Sequence, residues 1–296
     1  MNPAGSMRQK EIVRYRRNSR PCHRRDRIAT EEPLEIRLLS GPIGQSESRS
    51  LTLTMRTPGQ DYELAAGLLY TEGLLQRPDD IVKMTYCLGE SLDEQAYNVL
   101  QVRLRPGLEI PWERLARHGI SHAGCGLCGK VQIEQLHQTL HPDFGPHSPI
   151  LDPEQLYDLQ DRMRPMQHIF DHTGGVHASA LFDLEGNCLS LCEDVGRHNA
   201  LDKLIGQQFL AGRLPLMQHL LLVSGRASFE LVQKSLQASI PVLLAVGAPS
   251  SLAMELARSY DQTLIGFLRS EGFNVYSGHQ RLREPRGEPS VEGKDA

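Results

Sequence analysis

Cys125 and Cys128 stand three positions apart in the run Ser121-His122-Ala123-Gly124-Cys125-Gly126-Leu127-Cys128-Gly129-Lys130. Glycine before, between and after the thiols frees the backbone to take left-handed conformations, so the sequence predicts a turn or flexible loop. A thiol on such a loop is reachable by another protein. The thiolate is the reactive form, and a neighbouring cation such as Lys130 or protonated His122 favours it. Three chemistries fit two such thiols. Zinc needs about four ligands, and Cys188 with Cys192 offers a Cys-x3-Cys partner on a predicted hairpin strand, pointing into one face. A dithiol–disulfide couple usually opens a helix in a thioredoxin-like βαβ unit, which the surrounding pattern does not trace. A persulfide carrier needs only an accessible thiolate on a flexible segment.

A second set of residues suits an anion. Glu193-Asp194-Val195-Gly196-Arg197-His198-Asn199-Ala200-Leu201-Asp202-Lys203 spans a predicted strand-to-helix turn. Asp194 and Asn199 suit helix caps, while Arg197, His198 and Lys203 near a helix N-terminus suit phosphate. Ser224-Gly225-Arg226-Ala227-Ser228, Ala248-Pro249-Ser250-Ser251 and Gly266 to Gly272 are further small-residue turns after predicted strands. Lined up on one sheet edge, these turns would form a polar cleft for a large anionic ligand. Gly124-x-Gly126-x-x-Gly129 is formally a dinucleotide fingerprint, but no strong strand precedes it. In Gly175-Val176-His177-Ala178-Ser179 a serine stands where a zinc deaminase carries its glutamate, which argues against deamination and leaves the scaffold open.

The elements that must position these residues follow from periodicity. Leu34 to Leu38 and Leu51 to Met55 alternate with period two, as does Tyr97 to Leu104, predicting strands. Asp61 is expected to cap a helix carrying Leu64, Ala65, Leu68 and Leu69. Glu113 to Arg117 and Ile133 to Leu140 read as short helices around the cysteine loop, and 141–150 as a linker. Asp152-Pro153 opens a further helix. Val176–Phe182 and Cys188–Leu191 read as a hairpin. Helices at 198–209, 229–238 and 250–258 then alternate with strands at 219–223, 241–246 and 263–267, implying crossovers and a partly parallel sheet. Ligands of such sheets gather at the carboxyl ends of the strands.

Composition bounds the rest. The 296 residues are 40% hydrophobic and 23% charged with net charge −4, ordinary for a globular chain. No apolar run is long enough to span a bilayer, and no hydrophobic stretch follows the basic N-terminus, so neither membrane nor secretory signal is expected and a cytoplasmic setting is the default. Residues 1–27 hold nine Lys and Arg against two acids. They read as a disordered, solvated arm, with an anion-binding tail as the alternative. The mildly acidic whole argues against a nucleic-acid partner.

Glu31-Glu32-Pro33-Leu34-Glu35-Ile36, Met55-Arg56-Thr57-Pro58-Gly59, Cys125-Gly126-Leu127-Cys128-Gly129, Thr173 to Ala178, Glu193 to Lys203, Ser224 to Ser228 and Gly266-Phe267 through Asn274-Val275-Tyr276 together resemble the formate dehydrogenase accessory sulfurtransferase family, FdhD. The resemblance covers about residues 26–282. It implies a mixed α/β chain in which a smaller α+β domain over 28–140 precedes a cytidine-deaminase-like three-layer α/β domain over 151–282, with a polar tail over 283–296. It implies a sulfur carrier that accepts sulfur as a persulfide from a cysteine desulfurase. The sulfur passes to the bis-molybdopterin guanine dinucleotide molybdenum cofactor, which formate dehydrogenase, the client, requires. Cys125 matches the persulfide position and Cys128 an assisting thiol. Phe267, Leu268, Arg269, Ser270, Glu271 and Gly272 match the cofactor-binding segment. A homodimer with no resident metal is expected. The rival expectation is a non-enzymatic cofactor chaperone with a structural or zinc-binding cysteine pair.

Overall fold

The computed structural model describes residues 5–41, 47–87, 97–108, 110–112, 140, 142, 144 and 149–283. The glycine–cysteine loop, the helix expected at 113–117, that at 133–140 but for Leu140, and the tail beyond Arg283 lie outside the described residues.

Alternation along β3 (Glu32–Ser40) buries Leu34, Ile36 and Leu38 on one face. β3 pairs antiparallel with β4 (Glu47–Arg56) and parallel with β6 (Val99–Leu104), and β6 pairs antiparallel with β5 (Ile81–Tyr86). α1 (Asp61–Thr71) lays Leu64, Ala65 and Leu69 on that face, beside Leu100 and Val102. Each such side chain taken from water stabilises the unit by roughly 1.5–3 kcal/mol. Asp61 is not the cap that its position suggested. Gln60 holds that place in the left-handed conformation, φ 58°. The Asp61 carboxylate is taken instead by Arg56, at 2.9 Å from Nε and 3.0 Å from Nη2, and by the Tyr86 hydroxyl at 2.8 Å. Arg56 and Asp61 are both buried, so their bidentate pairing is what makes either charge tolerable there.

From Met7 onward the basic arm is an ordered hairpin, not the disordered segment expected. β1 (Met7–Arg14) and β2 (Cys22–Ala29) form an antiparallel hairpin running from Met7 opposite Ala29 to Arg14 opposite Cys22. Most residues on both of its faces are exposed, so no apolar alternation marked it in the sequence. The hairpin is tied at its base by the Thr30 amide donating to the Ser6 carbonyl and by an Arg8–Glu32 ion pair.

The second unit is a six-stranded sheet in the order β12-β11-β10-β9-β7-β8. β9 (Leu220–Val223), β10 (Val242–Ala245) and β11 (Thr263–Arg269) are parallel, β7 (His177–Phe182) runs against β9, β8 (Cys188–Asp194) against β7, and β12 (Gly272–Ser277) against β11. β9 and β10 are buried at every residue, as continuous apolar runs require when both sheet faces are covered. One face carries α5 (Arg197–Leu210), α6 (Phe229–Gln237) and α7 (Ser251–Ser259), which pack on Leu221, Val223, Leu243 and Leu264. The other carries α2 (Glu154–Tyr157) and α3 (Leu159–Met163), whose Leu156, Leu159 and Met163 meet Leu220, Leu222 and Leu244. The three layers are those expected. The helix expected from Pro153 is broken into these two short pieces and a 3-10 turn at Arg164–Met166, where Pro165 supplies no amide donor. α4 (His168–Thr173) follows it.

Candidate anion-binding rim

Because β7 runs against β9, its first residue, His177, stands at the same sheet edge as Asp194 and the carboxyl ends of β9, β10 and β11. The turns at this edge are stitched together in steps. The Ser224 amide donates to the Ala178 carbonyl at 2.9 Å, and the Ala178 amide to Ser224 Oγ at 2.8 Å. The Gly247 amide donates to the Gly225 carbonyl at 2.9 Å, and the Phe267 amide to the Gly247 carbonyl at 3.1 Å. A Cβ at Gly266 would lie 2.9 Å from Pro249 Cδ, and one at Gly247 3.1 Å from the Arg226 backbone nitrogen, so a side chain at either position would press on the neighbouring turn. The expectation that these turns line one edge is met.

The segment 267–272 is not a plain strand-end turn. β11 continues through a register irregularity to Arg269, reverses at Ser270-Glu271 and returns as β12 from Gly272. Phe267 has φ 54° and is exposed on the rim, whereas Leu268 is fully buried in the core against α2 and α3. Leu268 therefore supports the segment from below and offers no side chain to a ligand. Arg269 Nη1 donates to the Val246 carbonyl at 2.8 Å and its own neighbour's, Leu268, at 2.7 Å, tying the hairpin to the end of β10.

Histidines and arginines gather where α5 and α6 begin. His198 Nε2 lies 3.3 Å from Ser228 Oγ and 3.7 Å from Glu230 Oε2. The neighbouring His198 imidazole outweighs partial burial and holds the Glu230 carboxyl down at about 2. Burial, then the charges of Arg197 and His198, push the His177 imidazole below its ordinary value. Arg197 Nε is buried with no hydrogen-bond partner among the described residues. Arg226 is exposed beside Gly247. The N-termini of α5, α6 and α7 open on the same edge, and backbone amides there favour an anion.

Asp194 and Asn199 do not cap α5; Gly196 occupies the cap. They belong to a buried hub with Thr57 of the first unit. The Thr57 amide donates to Asp194 Oδ2 at 3.0 Å, and the Val195 amide to Thr57 Oγ1 at 3.1 Å. Lys203 Nζ reaches Asp194 Oδ2 at 2.7 Å and the Thr57 carbonyl at 2.8 Å, so it is a fixed strut and not a rim cation. Asn199 Nδ2 donates to the Met55 carbonyl at 2.7 Å. Thr57 was missed from sequence as a site residue; it entered only within Met55-Arg56-Thr57-Pro58-Gly59, a phrase that carried the family resemblance with no role attached.

Cys188 and Cys192 lie on opposite faces of the sheet, not one. A shift of register between Leu181 and Phe182 turns Cys188 toward α3, while Cys192 is buried under α5. Cys87 is half-buried.

Over residues 29–283 the chain matches the model of the FdhD/NarQ family. It is 46% identical over 276 residues to a protein of Streptomyces avermitilis named sulfur carrier protein FdhD, covering 93% of this chain and 95% of that one. It is 42% identical over 274 residues to the protein of the same name from Mycobacterium tuberculosis, covering 91% and 96%. The fold matches a crystal structure from Desulfotalea psychrophila, provisionally described as a formate dehydrogenase accessory protein, with TM-score 0.70 and 22% identity over 94% of this chain and 99% of that one. A match along both units and near-complete coverage of these relatives leave one conclusion: the chain belongs to the FdhD/NarQ family.

Proposed function

We propose that this chain is a sulfurtransferase of the persulfide-carrier type. In the cytoplasm, Cys125 accepts sulfur from a cysteine desulfurase and delivers it to the bis-molybdopterin guanine dinucleotide molybdenum cofactor on which formate dehydrogenase depends. The observation that carries the reading is the rim, where Arg197, Arg226 and three helix N-termini converge at one sheet edge in a relative of named sulfur carriers. Guanidinium groups and free amides are the donors that a pyrophosphate needs.

The chemistry balances in two exchanges. The Cys125 thiolate attacks the outer sulfur of the donor's persulfide. A new S–S bond forms, the old one breaks, and the donor leaves as a thiolate. The Cys128 thiolate then attacks the inner sulfur of the Cys125 persulfide, closing a Cys125–Cys128 disulfide and expelling hydrosulfide to the acceptor. The two electrons that turn sulfane sulfur into sulfide come from the cysteine pair, and a thiol reductant restores it. The cofactor is substrate here; the rim residues bind and orient it. A homodimer would present two such rims.

The test is incubation with a cysteine desulfurase and cysteine, followed by peptide mass mapping. The expected result is one added sulfur at Cys125, absent in Cys125→Ala. An unmodified Cys125 alongside one equivalent of zinc, lost in Cys125→Ala and in Cys128→Ala, would sink the carrier reading in favour of the chaperone.

A further inference from the structure

The basic hairpin lies almost wholly outside the family match, which begins at residue 29, and the rim does not use it. At its far end Arg14, Arg16, Ser19, Arg20, Cys22 and Arg24 line a concavity of about 320 Å³. Its shape is set locally. β1 ends at Arg14 opposite Cys22, and the Ser19 amide donates to the Arg16 carbonyl at 3.1 Å. Asn18 takes the left-handed conformation, φ 61°, which asparagine tolerates better than most residues. This turn brings Arg16 and Arg20 to the same concavity as Arg14 and Arg24. Arg24 pairs with Asp26 at 3.0 Å. Arg14, Arg16 and Arg20 have no ion-pair partner among the described residues, and no acid lines the concavity.

Four guanidiniums around so small a space repel one another until a compact anion of several charges enters. Each presents a planar fork that matches phosphate oxygens in pairs. An extended polyanion such as nucleic acid fits less well: residues 1–27 carry nine cations and two acids while the whole chain is −4, so the remainder is −11 and repels it. No aromatic side chain lines the concavity, and the guanidiniums that could stack on a base are the ones that take the phosphates. We propose that the hairpin tip is a second anion site that binds a di- or triphosphate group, reading the phosphates and not what they are attached to.

The test is calorimetric titration of sodium tripolyphosphate, and separately of adenosine triphosphate, into the full chain at moderate salt. Tripolyphosphate is expected to bind, with the nucleotide within about threefold of it, the base being unread. The Arg16→Ala/Arg20→Ala variant is expected to weaken binding at least about tenfold, and Arg226→Ala/Arg269→Ala on the rim to leave it within about threefold. Arg16→Gln alone, an exposed change, supplies the same comparison should the double variant fold poorly. No uptake by the parent chain, uptake unchanged in the hairpin variants, or a nucleotide preference above about tenfold would each overturn the proposal. Loss of tripolyphosphate binding in the rim variant alone would assign it to the rim and equally overturn it. The sulfur-carrier reading stands or falls separately, on Cys125.

Discussion

Gly67 of α1 and Gly206 of α5 meet backbone to backbone where the two helices cross. A Cβ on Gly67 would lie 1.8 Å from the Asp202 carbonyl oxygen, and one on Gly206 1.8 Å from that of Glu63. Only glycine allows this approach, and through it the two units become one body. Phe209, further along α5, sits in the core of the first unit, while Leu201, Leu204 and Ile205 sit in the second. Gly206→Ala should therefore force the helices apart. Overpacking typically costs about 1–3 kcal/mol, and a backbone clash belongs at or above the top of that range. Urea unfolding of the variant should show a lowered midpoint; a midpoint equal to the parent's would mean that the crossing can relax freely.

The Lys203–Asp194 pair is the second joint. Both groups are buried and both bond to Thr57. Removing one partner leaves a buried charge uncompensated, at a cost of about 3–5 kcal/mol. Lys203→Met should be destabilised by that order. Thr57→Ala keeps the backbone bonds and loses the acceptor for the Val195 amide, so it should cost about 1–3 kcal/mol. Denaturant titration of both variants checks the order; a milder effect at Lys203 than at Thr57 would refute the assignment of the hub.

Acid should act on the rim through two groups. The Glu230 carboxyl is depressed to about 2 against an ordinary 4.5, so the unfolded chain takes up its proton first as pH falls. Its contribution is fully present above about pH 4.5 and is lost as pH drops toward 2. His177 is also depressed, mainly by burial, so it binds its proton more weakly folded than unfolded. Folding then loses stability as pH falls below about 6.5, the ordinary value. His177→Gln should flatten the stability profile just below about pH 6.5, and Glu230→Gln that below about 4.5. Thermal melts across pH read both; an unchanged slope in either window counts against the corresponding group.

Thiol reactivity separates the described cysteines. Burial pushes Cys192 up to about 12, and burial also raises Cys188. Cys22 is exposed on the hairpin. In the native protein iodoacetamide should modify Cys22 and spare Cys192, which should react only once urea has unfolded the chain. Native alkylation of Cys192 would show that the layer of α5 over β8 opens.

Most of the second unit was legible because its signals are local. β9 and β10 are short apolar runs between turns, and α7 begins within a residue of its expected start, where Ser250 accepts from the Ala253 amide at 3.3 Å. The basic hairpin was invisible because a strand exposed on both faces has no period in hydrophobicity. β12 was missed because Phe273 to Tyr276 follow a turn already assigned to ligand binding. The Asp61 and Asp194 caps failed for a shared reason: each carboxylate is held by partners outside its own helix turn, Arg56 and the remote Tyr86 for the first and Lys203 with Thr57 of the other unit for the second. Local propensity cannot see such partners.

Arg226 and Arg269 should separate binding from support on the rim. Arg226 is exposed, with its main chain fixed by the bond between the Ala227 amide and the Ala248 carbonyl at 3.2 Å, so its guanidinium is available to a ligand. Arg269 already spends Nη1 on two carbonyls and holds the 267–272 hairpin to β10. With the hairpin site removed by Arg16→Ala/Arg20→Ala, Arg226→Ala should weaken binding of a guanine nucleotide about tenfold or more, with the thermal midpoint unmoved, since one charge-assisted bond to phosphate contributes about 1.5–3 kcal/mol. Arg269→Ala should weaken binding and lower the midpoint together, because it frees the hairpin. Sulfur loading at Cys125 should survive both changes. A drop in midpoint for Arg226→Ala, or unaltered nucleotide affinity in both variants, would remove these two arginines from the anion site.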